Sequence, residues 1–374
     1  MLKIKGKSFF ILLLIWIIMI LSGCTEETSG GGGNIDQQYT LTINIEHSLD
    51  STFQVEVYKE GEMITSDEGD LVQFRLSNGN YTIKIYNKSH TKIRDILING
   101  SNERIDISFS QISIPPDNWK PGAGWVLDWR DEFDSPTLDS SNWTRQVLPV
   151  ETTYKFNKEW QAYTDSSENS YIQMQEDNSD GVLVIEAKYN GNGLDRGNFT
   201  SARVITNEKV EYKYGKIAAR IKVPKGQGIW PAFWMLGTNI SETGGTVDWP
   251  YCGEIDIMEK IGGNNSKEQT VHGTVHFANQ LNEWQYIGGS KALSEYLSND
   301  YHVYEVEWSS DLIIWKLDGV EYHRQDMSDP MFDEFEAPFY ILLNVAVGGE
   351  WPGYPDSTTN FPQKMYIDWV RVYQ

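Results

Sequence analysis

YCGEIDIMEKIG, residues 251–262, sets Glu254, Asp256 and Glu259 among isoleucines and a methionine, in a run short enough to be one strand. Alternate side chains of a strand face opposite ways, so Glu254 and Asp256 share one face while Ile255 and Ile257 take the other. Strict alternation would give Met258, not Glu259, the acidic face. One extra residue, a β-bulge near Ile257 and Met258, returns Glu259 to it. The expectation is a strand with its isoleucines in a core and three carboxylates along a groove. Two carboxyls about 5–5.5 Å apart are the requirement for retaining glycoside hydrolysis, in which one attacks the anomeric carbon and the other protonates the departing oxygen. Crowded like charges raise one another's pKa, which keeps the acid protonated near neutral pH. A solvated acidic strand face is the competing reading, and the hexapeptide alone leaves both open.

Working outward, VLVIEAKY, KIAARIKVP, YHVYEVEW, FYILLNVAVGG and MYIDWVRVYQ alternate with period two or read as buried strands, separated by Gly, Asp and Asn turns. No long helical period interrupts them. The expectation for residues 118–374 is all-β, a two-sheet jelly-roll sandwich. PPDNWKPGAG (115–124) marks its boundary. Residues 39–114 alternate too, with an Asn78-Gly79 turn signal, and are expected to form a small antiparallel β-sandwich whose role is that of a spacer. Its tyrosines Tyr58, Tyr81 and Tyr86 leave a carbohydrate-binding face as the alternative. CTEETSGGGGNIDQQ (24–38) reads as a flexible linker.

Residues 1–23 carry Lys3, Lys5 and Lys7 and then an apolar run from Phe9 to Leu21. That run is short of the ~20 residues a membrane-spanning helix needs. It reads as a secretory signal peptide ending in LSGC, similar to a bacterial lipobox with lipidation of Cys24. The expected location is extracytoplasmic, lipid-anchored to a membrane or cell surface. Cys252 is the other of two cysteines, so the mature chain forms no internal disulfide. It reads as a buried packing residue, since nothing nearby supplies an activating base.

The formal charge is −22, and removal of the three leader lysines makes it more negative still. Nucleic acid and other polyanions are thereby disfavoured, and a neutral polymer fits. Fourteen tryptophans offer flat apolar surfaces. Trp230 and Trp234 in IWPAFW fall outside a simple core pattern and can stack on sugar rings, with Trp249 and Trp351 as weaker candidates. His272 and His276 share one face of the strand VHGTVHF, where an imidazole can tune a carboxyl and hydrogen-bond a sugar. Of the two, His276 is favoured.

GEIDIME, together with GQGIWPAFWMLG before it and VHGTVHF after it, closely resembles glycoside hydrolase family 16, and within it the bacterial laminarinase-like endo-1,3-β-glucanases. The likeness continues through TSARV, KYGKIAARIKVPKG, ILLNVAVGGEWPG and FPQKMYIDWVRVY, covering about residues 125–374. It implies a jelly roll with a concave cleft, Glu254 as nucleophile, Asp256 as assisting acid and Glu259 as acid/base. The extra Met258 resembles the bulged laminarinase type. Arg203 matches a donor toward substrate. Glu132, the carbonyl of Gly181 and Asp368 match the ligands of a structural Ca2+, which some members hold away from catalysis. No catalytic cofactor is implied. The expected protein is a monomer that hydrolyses β-glucan of the laminarin type, with mixed-linkage β-glucan as a further substrate. Agar- or carrageenan-type polysaccharide, or non-catalytic glucan binding, are the alternatives.

Overall fold

The computed structural model describes residues 37–47, 53–86, 91–109, 117–174, 180–191 and 193–374. The leader, Cys24 and most of the linker lie outside the described residues. No helix among the described residues is long and apolar enough to cross a membrane.

Residues 39–109 form a small sandwich, a three-stranded sheet against a four-stranded one, around Leu41, Ile43, Val55, Val57, Ile83 and Ile85. One pairing departs from the antiparallel expectation, since Tyr39–His47 runs parallel to Glu103–Phe109. The Asn78-Gly79 turn does lie between two strands. Leu71–Leu76 before it and Gly79–Tyr86 after it belong to different sheets, so the turn carries the chain across the sandwich. Tyr81 is buried, whereas Tyr58 and Tyr86 are half-buried and share Glu56 as hydrogen-bond acceptor.

The larger unit is a two-sheet sandwich of ten and eight strands. In the eight-stranded sheet the central order is Trp284–Ala292, Thr270–Ala278, Glu254–Glu259, Ile229–Gly237, Phe339–Val347, Arg203–Ile205. Phe339–Val347 is buried along its whole length. Its odd positions Phe339, Ile341, Leu343, Val345 and Val347 enter the main core, while Asn344 and Ala346 face the opposite way into a cleft. A continuous apolar run is the signature of a strand covered on both faces.

The acidic strand carries the expected bulge. Asp256 pairs with Thr274 and Glu259 with His272, so three residue steps on one strand match two on its neighbour. On the other side the register shifts at the same place, Asp256 facing Trp234 and Met258 facing Phe233. Ile255, Ile257 and Met258 all enter the core, and Glu254, Asp256 and Glu259 line the cleft. A bulge disrupts the ladder locally. Here the indole of Trp315, on a strand of the opposite sheet, crosses the core and donates to the Asp256 carbonyl at 2.8 Å. That reach explains Gly273 in the HGT motif. A Cβ at Gly273 would lie 2.3 Å from Trp315 Cδ1, so a side chain there would displace the indole from the bulge.

Candidate active site

The cleft encloses about 890 Å³ on the open face of the eight-stranded sheet. Each sequence-predicted catalytic or substrate residue lines it: Glu254, Asp256 and Glu259; Trp230 and Trp234; His272 and His276; Arg203; and Trp249 and Trp351. They come from five stretches far apart in the chain, which the strand order gathers.

The carboxyls are individually held. Trp249 Nε1 donates to Glu254 Oε2 at 2.8 Å, and Trp230 Nε1 donates to Glu259 Oε1 at 2.9 Å. These two tryptophans therefore do more than the expected ring stacking, since their N–H ends fix the carboxyl rotamers. Glu254, Asp256 and His276 each place an atom within 4.8 Å of the others. His276 Nε2 stands 3.1 Å from Asp256 Oδ2 and 3.8 Å from Glu254 Oε1. His272 is set apart from that contact: it pairs across from Glu259 and packs edge-on against Trp351, ring centroids 5.0 Å apart. Burial holds His272 below the ordinary histidine pKa, so it is neutral at neutral pH.

All three acids hold their protons more tightly than free carboxyls. Burial is the largest cause for each. Glu254 is pushed up to about 8, with the charge of Asp256 as the next contribution, and Asp256 to about 7. Glu259 is raised well above its usual value, by burial and then by Asp256, while the bond from Trp230 works the other way. The groove cannot hold three negative charges at once near neutral pH, and a carboxyl that keeps its proton there is a general acid in waiting.

Several cleft residues escaped the sequence reading. Trp284 and Tyr286 lie in FANQLNEWQYIGGS, where Trp284–Ala292 is a strand at the sheet edge. The W-x-Y spacing, which puts both rings on one face, was the available signal. Behind Trp234 runs a chain of hydrogen bonds. Trp234 Nε1 donates to Asn344 Oδ1 (2.7 Å), Asn344 Nδ2 to the Tyr163 hydroxyl (3.1 Å), and that hydroxyl to Glu159 Oε2 (3.4 Å). The lone polar residue in FYILLNVAV and the alternation of EWQAY (159–163) carried that information unread. Arg203 is 5% exposed, and its guanidinium lies 4.8 Å from the Trp234 ring. Among the described residues its Nε and Nη2 find no acceptor, which leaves two buried donors at the cleft wall.

The two side chains expected to hold Ca2+ are otherwise engaged. Both Glu132 oxygens accept from Arg371, at 2.8 Å each, and Asp368 is paired with Arg220. Negative charge remains in excess nearby, because burial and then Asp180 and Glu132 raise the Asp134 carboxyl. The surroundings suit a cation in charge, but the Glu132 and Asp368 side chains as arranged do not form an oxygen cage. No catalytic step depends on one.

Residues 152–371 match the model for glycosyl hydrolases family 16. The chain is 37% identical over 262 residues to a beta-glucanase of Rhodothermus marinus, covering 67% of this chain and 85% of the relative. It is 35% identical over 281 residues to glucan endo-1,3-beta-glucosidase A1 of Niallia circulans, again covering 67% of this chain but only 38% of that longer protein. The laminarinase catalytic domain from Thermotoga maritima superposes with a TM-score of 0.57 and 42% identity, covering 67% of this chain and 98% of that one.

Proposed function

The chain belongs to glycosyl hydrolases family 16, and from that premise we propose that it is a retaining endo-β-1,3-glucanase acting on laminarin-type glucan. The observation that carries the reading is the bulge at Ile257–Met258, which sets Glu254 and Glu259 on one cleft face, each aimed by its own indole N–H.

In the first step Glu254, ionised, attacks the anomeric carbon as the glycosidic C–O bond breaks. Glu259 gives its proton to the departing sugar oxygen. A glucosyl ester on Glu254 results. In the second step the Glu259 carboxylate takes a proton from water as the water oxygen attacks the anomeric carbon, the ester breaks, and both carboxyls return to their starting states. Asp256 raises its neighbours and keeps a proton within reach of Glu254. Trp230, Trp234, Trp249 and Trp351 offer rings to sugar C–H faces, and Arg203 offers buried donors to hydroxyls.

Charge supports a neutral substrate. The cationic side chains lining the cleft are Lys155 and Arg203, against Glu159, Glu242 and Glu350 in addition to the three acids. A sulfated galactan would meet a repulsive surface. The reading extends to a monomer held outside the cytoplasm by lipid on Cys24, with the small sandwich as spacer. Replacement Cys24→Ser should move the protein from membrane to soluble fractions, and retention in the membrane would remove the anchor from the proposal.

The decisive assay compares the chain with its Glu254→Ser variant on laminarin, mixed-linkage glucan, agarose and carrageenan. Laminarin oligosaccharides from the parent and none from the variant are expected. Turnover of a galactan alone would overturn the substrate, and glucan binding without turnover would overturn the enzyme.

A further inference from the structure

His276 faces the carboxyl cluster on one side and an aromatic wall on the other. Trp249 and Tyr286 each lie with ring centroids about 6 Å away, at 6.0 and 5.9 Å. Trp284 is different. Its ring is close to coplanar with the imidazole, 20° between planes at 5.9 Å between centroids, and its Nε1 reaches His276 Nδ1 at 3.1 Å. The register explains the reach. His276 pairs with Tyr286, and Trp284 is the next residue on the same face of the edge strand, so its indole lies diagonally over the histidine.

Indole N–H is a donor and never an acceptor. The bond therefore requires a lone pair on Nδ1, and the ring proton of neutral His276 must sit on Nε2. Nε2 is the nitrogen beside Asp256 Oδ2 and Glu254 Oε1. Asp256 Oδ2 has no completed hydrogen bond among the described residues, so the donor standing beside it is poised but not yet aligned. Catalytic hydrogen bonds often tighten only when substrate binds. Protonating both nitrogens would set N–H against N–H at Trp284 and break that bond.

We propose that Trp284 is a positioning residue for the reaction: it fixes His276 as the Nε2–H tautomer, so that a neutral donor rather than a cation faces Asp256 and Glu254. The proposal deepens the function proposed above and rests on it.

The titratable groups around His276 make the point consequential. Glu254, Asp256 and Glu259 face it from the acidic strand, and Tyr286 from the edge strand. Two of these carboxyls crowd the Nε2 side of the ring. A cationic His276 would in turn loosen the proton on Glu259, because its charge acts to lower both Glu259 and Glu254. The general acid would then lose its proton at lower pH. Trp284 opposes this from outside the reacting atoms, at a half-exposed edge position where replacement leaves the core intact.

The test is ¹⁵N NMR of histidine-labelled full chain, with the His276 signal among six histidines assigned by its loss in His276→Gln. Between about pH 5 and 8, the parent is expected to show an unprotonated Nδ1 and a protonated Nε2. In Trp284→Phe, which keeps a ring but no N–H, His276 should titrate to the imidazolium. Both limbs of the kcat/KM–pH profile should then move to lower pH by on the order of half a unit to one unit. Trp284→Gln, whose amide can donate to Nδ1, should recover part of the parent behaviour. A proton on Nδ1 in the parent overturns the proposal. So does a Trp284→Phe variant with unchanged His276 titration and a pH profile lowered in height but not displaced, the pattern of a packing role alone. The NMR readout stands whatever the substrate proves to be.

Discussion

Removing the indole N–H that holds the nucleophile should displace the acid limb of activity upward in pH. Trp249 Nε1 donates to Glu254 Oε2 at 2.8 Å, and that bond acts to lower the Glu254 pKa against burial and Asp256, which raise it. Hydrogen bonds to charged groups contribute about 1.5–3 kcal/mol net. Trp249 is 41% exposed, so water competes for the site and the low end of that range applies. About 1.4 kcal/mol corresponds to one pK unit. In Trp249→Phe the ring remains to stack on sugar while the donor is gone. Glu254 then ionises about one unit higher. Below the limb, where the ionised fraction falls about tenfold for each unit of pH below the pKa, kcat/KM should fall about tenfold; above it, the variant should approach the parent. The assay is kcat/KM on a defined laminarioligosaccharide across the pH range. A drop of equal size at every pH would show that Trp249 contributes ring contact alone. A limb displaced downward would refute the electrostatic reasoning.

Glu259→Gln should retain the fold and the bond from Trp230, now to the amide oxygen. Its turnover of natural glucan should fall by about 10²–10⁴ and lose its alkaline limb, and a variant that keeps the limb would assign the acid elsewhere. For the acidic end near Glu132 and Asp368, added Ca2+ should raise the melting temperature if a cation relieves the Asp134–Asp180 repulsion. An unchanged melting curve, with and without chelator, would show that no cation relieves that repulsion.

The catalytic strand was legible because it breaks a rule visibly. Three acids inside an apolar run fit neither a core strand nor a plain surface strand, and one extra residue reconciles them. Trp230 and Trp234 were legible as cleft residues because they fall outside a simple core pattern, but their N–H partners were not. Which carboxyl an indole meets depends on register between strands, and pairing partners such as Trp234 and Asp256 lie over twenty positions apart in sequence. The same limit hid Trp284, whose partner is fixed by a diagonal across two strands, and Trp315, which meets the bulge from the opposite sheet. In the small sandwich, Asn-Gly was read as a turn between two strands, and it joins Leu71–Leu76 to Gly79–Tyr86. Which strands then pair is decided by tertiary contacts, because Leu71–Leu76 found its partner in Tyr39–His47.

The three acids also make the catalytic unit's stability depend on pH in a way that tests their environment without substrate. Glu254 and Asp256 start from ordinary values of 4.5 and 3.8 and are raised to about 8 and about 7 in the folded chain. For an acid raised on folding, the native state holds more protons than the unfolded state between those values, so stability falls as pH rises through them. The contribution is fully present below about pH 4 and lost by about pH 8. Glu254→Gln removes one ionisation while nearly keeping the shape. Its stability should match the parent's at about pH 4 and exceed it at about pH 8 by on the order of 1–3 kcal/mol. In melting temperature that is about 2–4 °C for each kcal/mol in a unit of this size. A Gln variant that gains nothing at the higher pH would mean that Glu254 is solvated or paired in the folded chain.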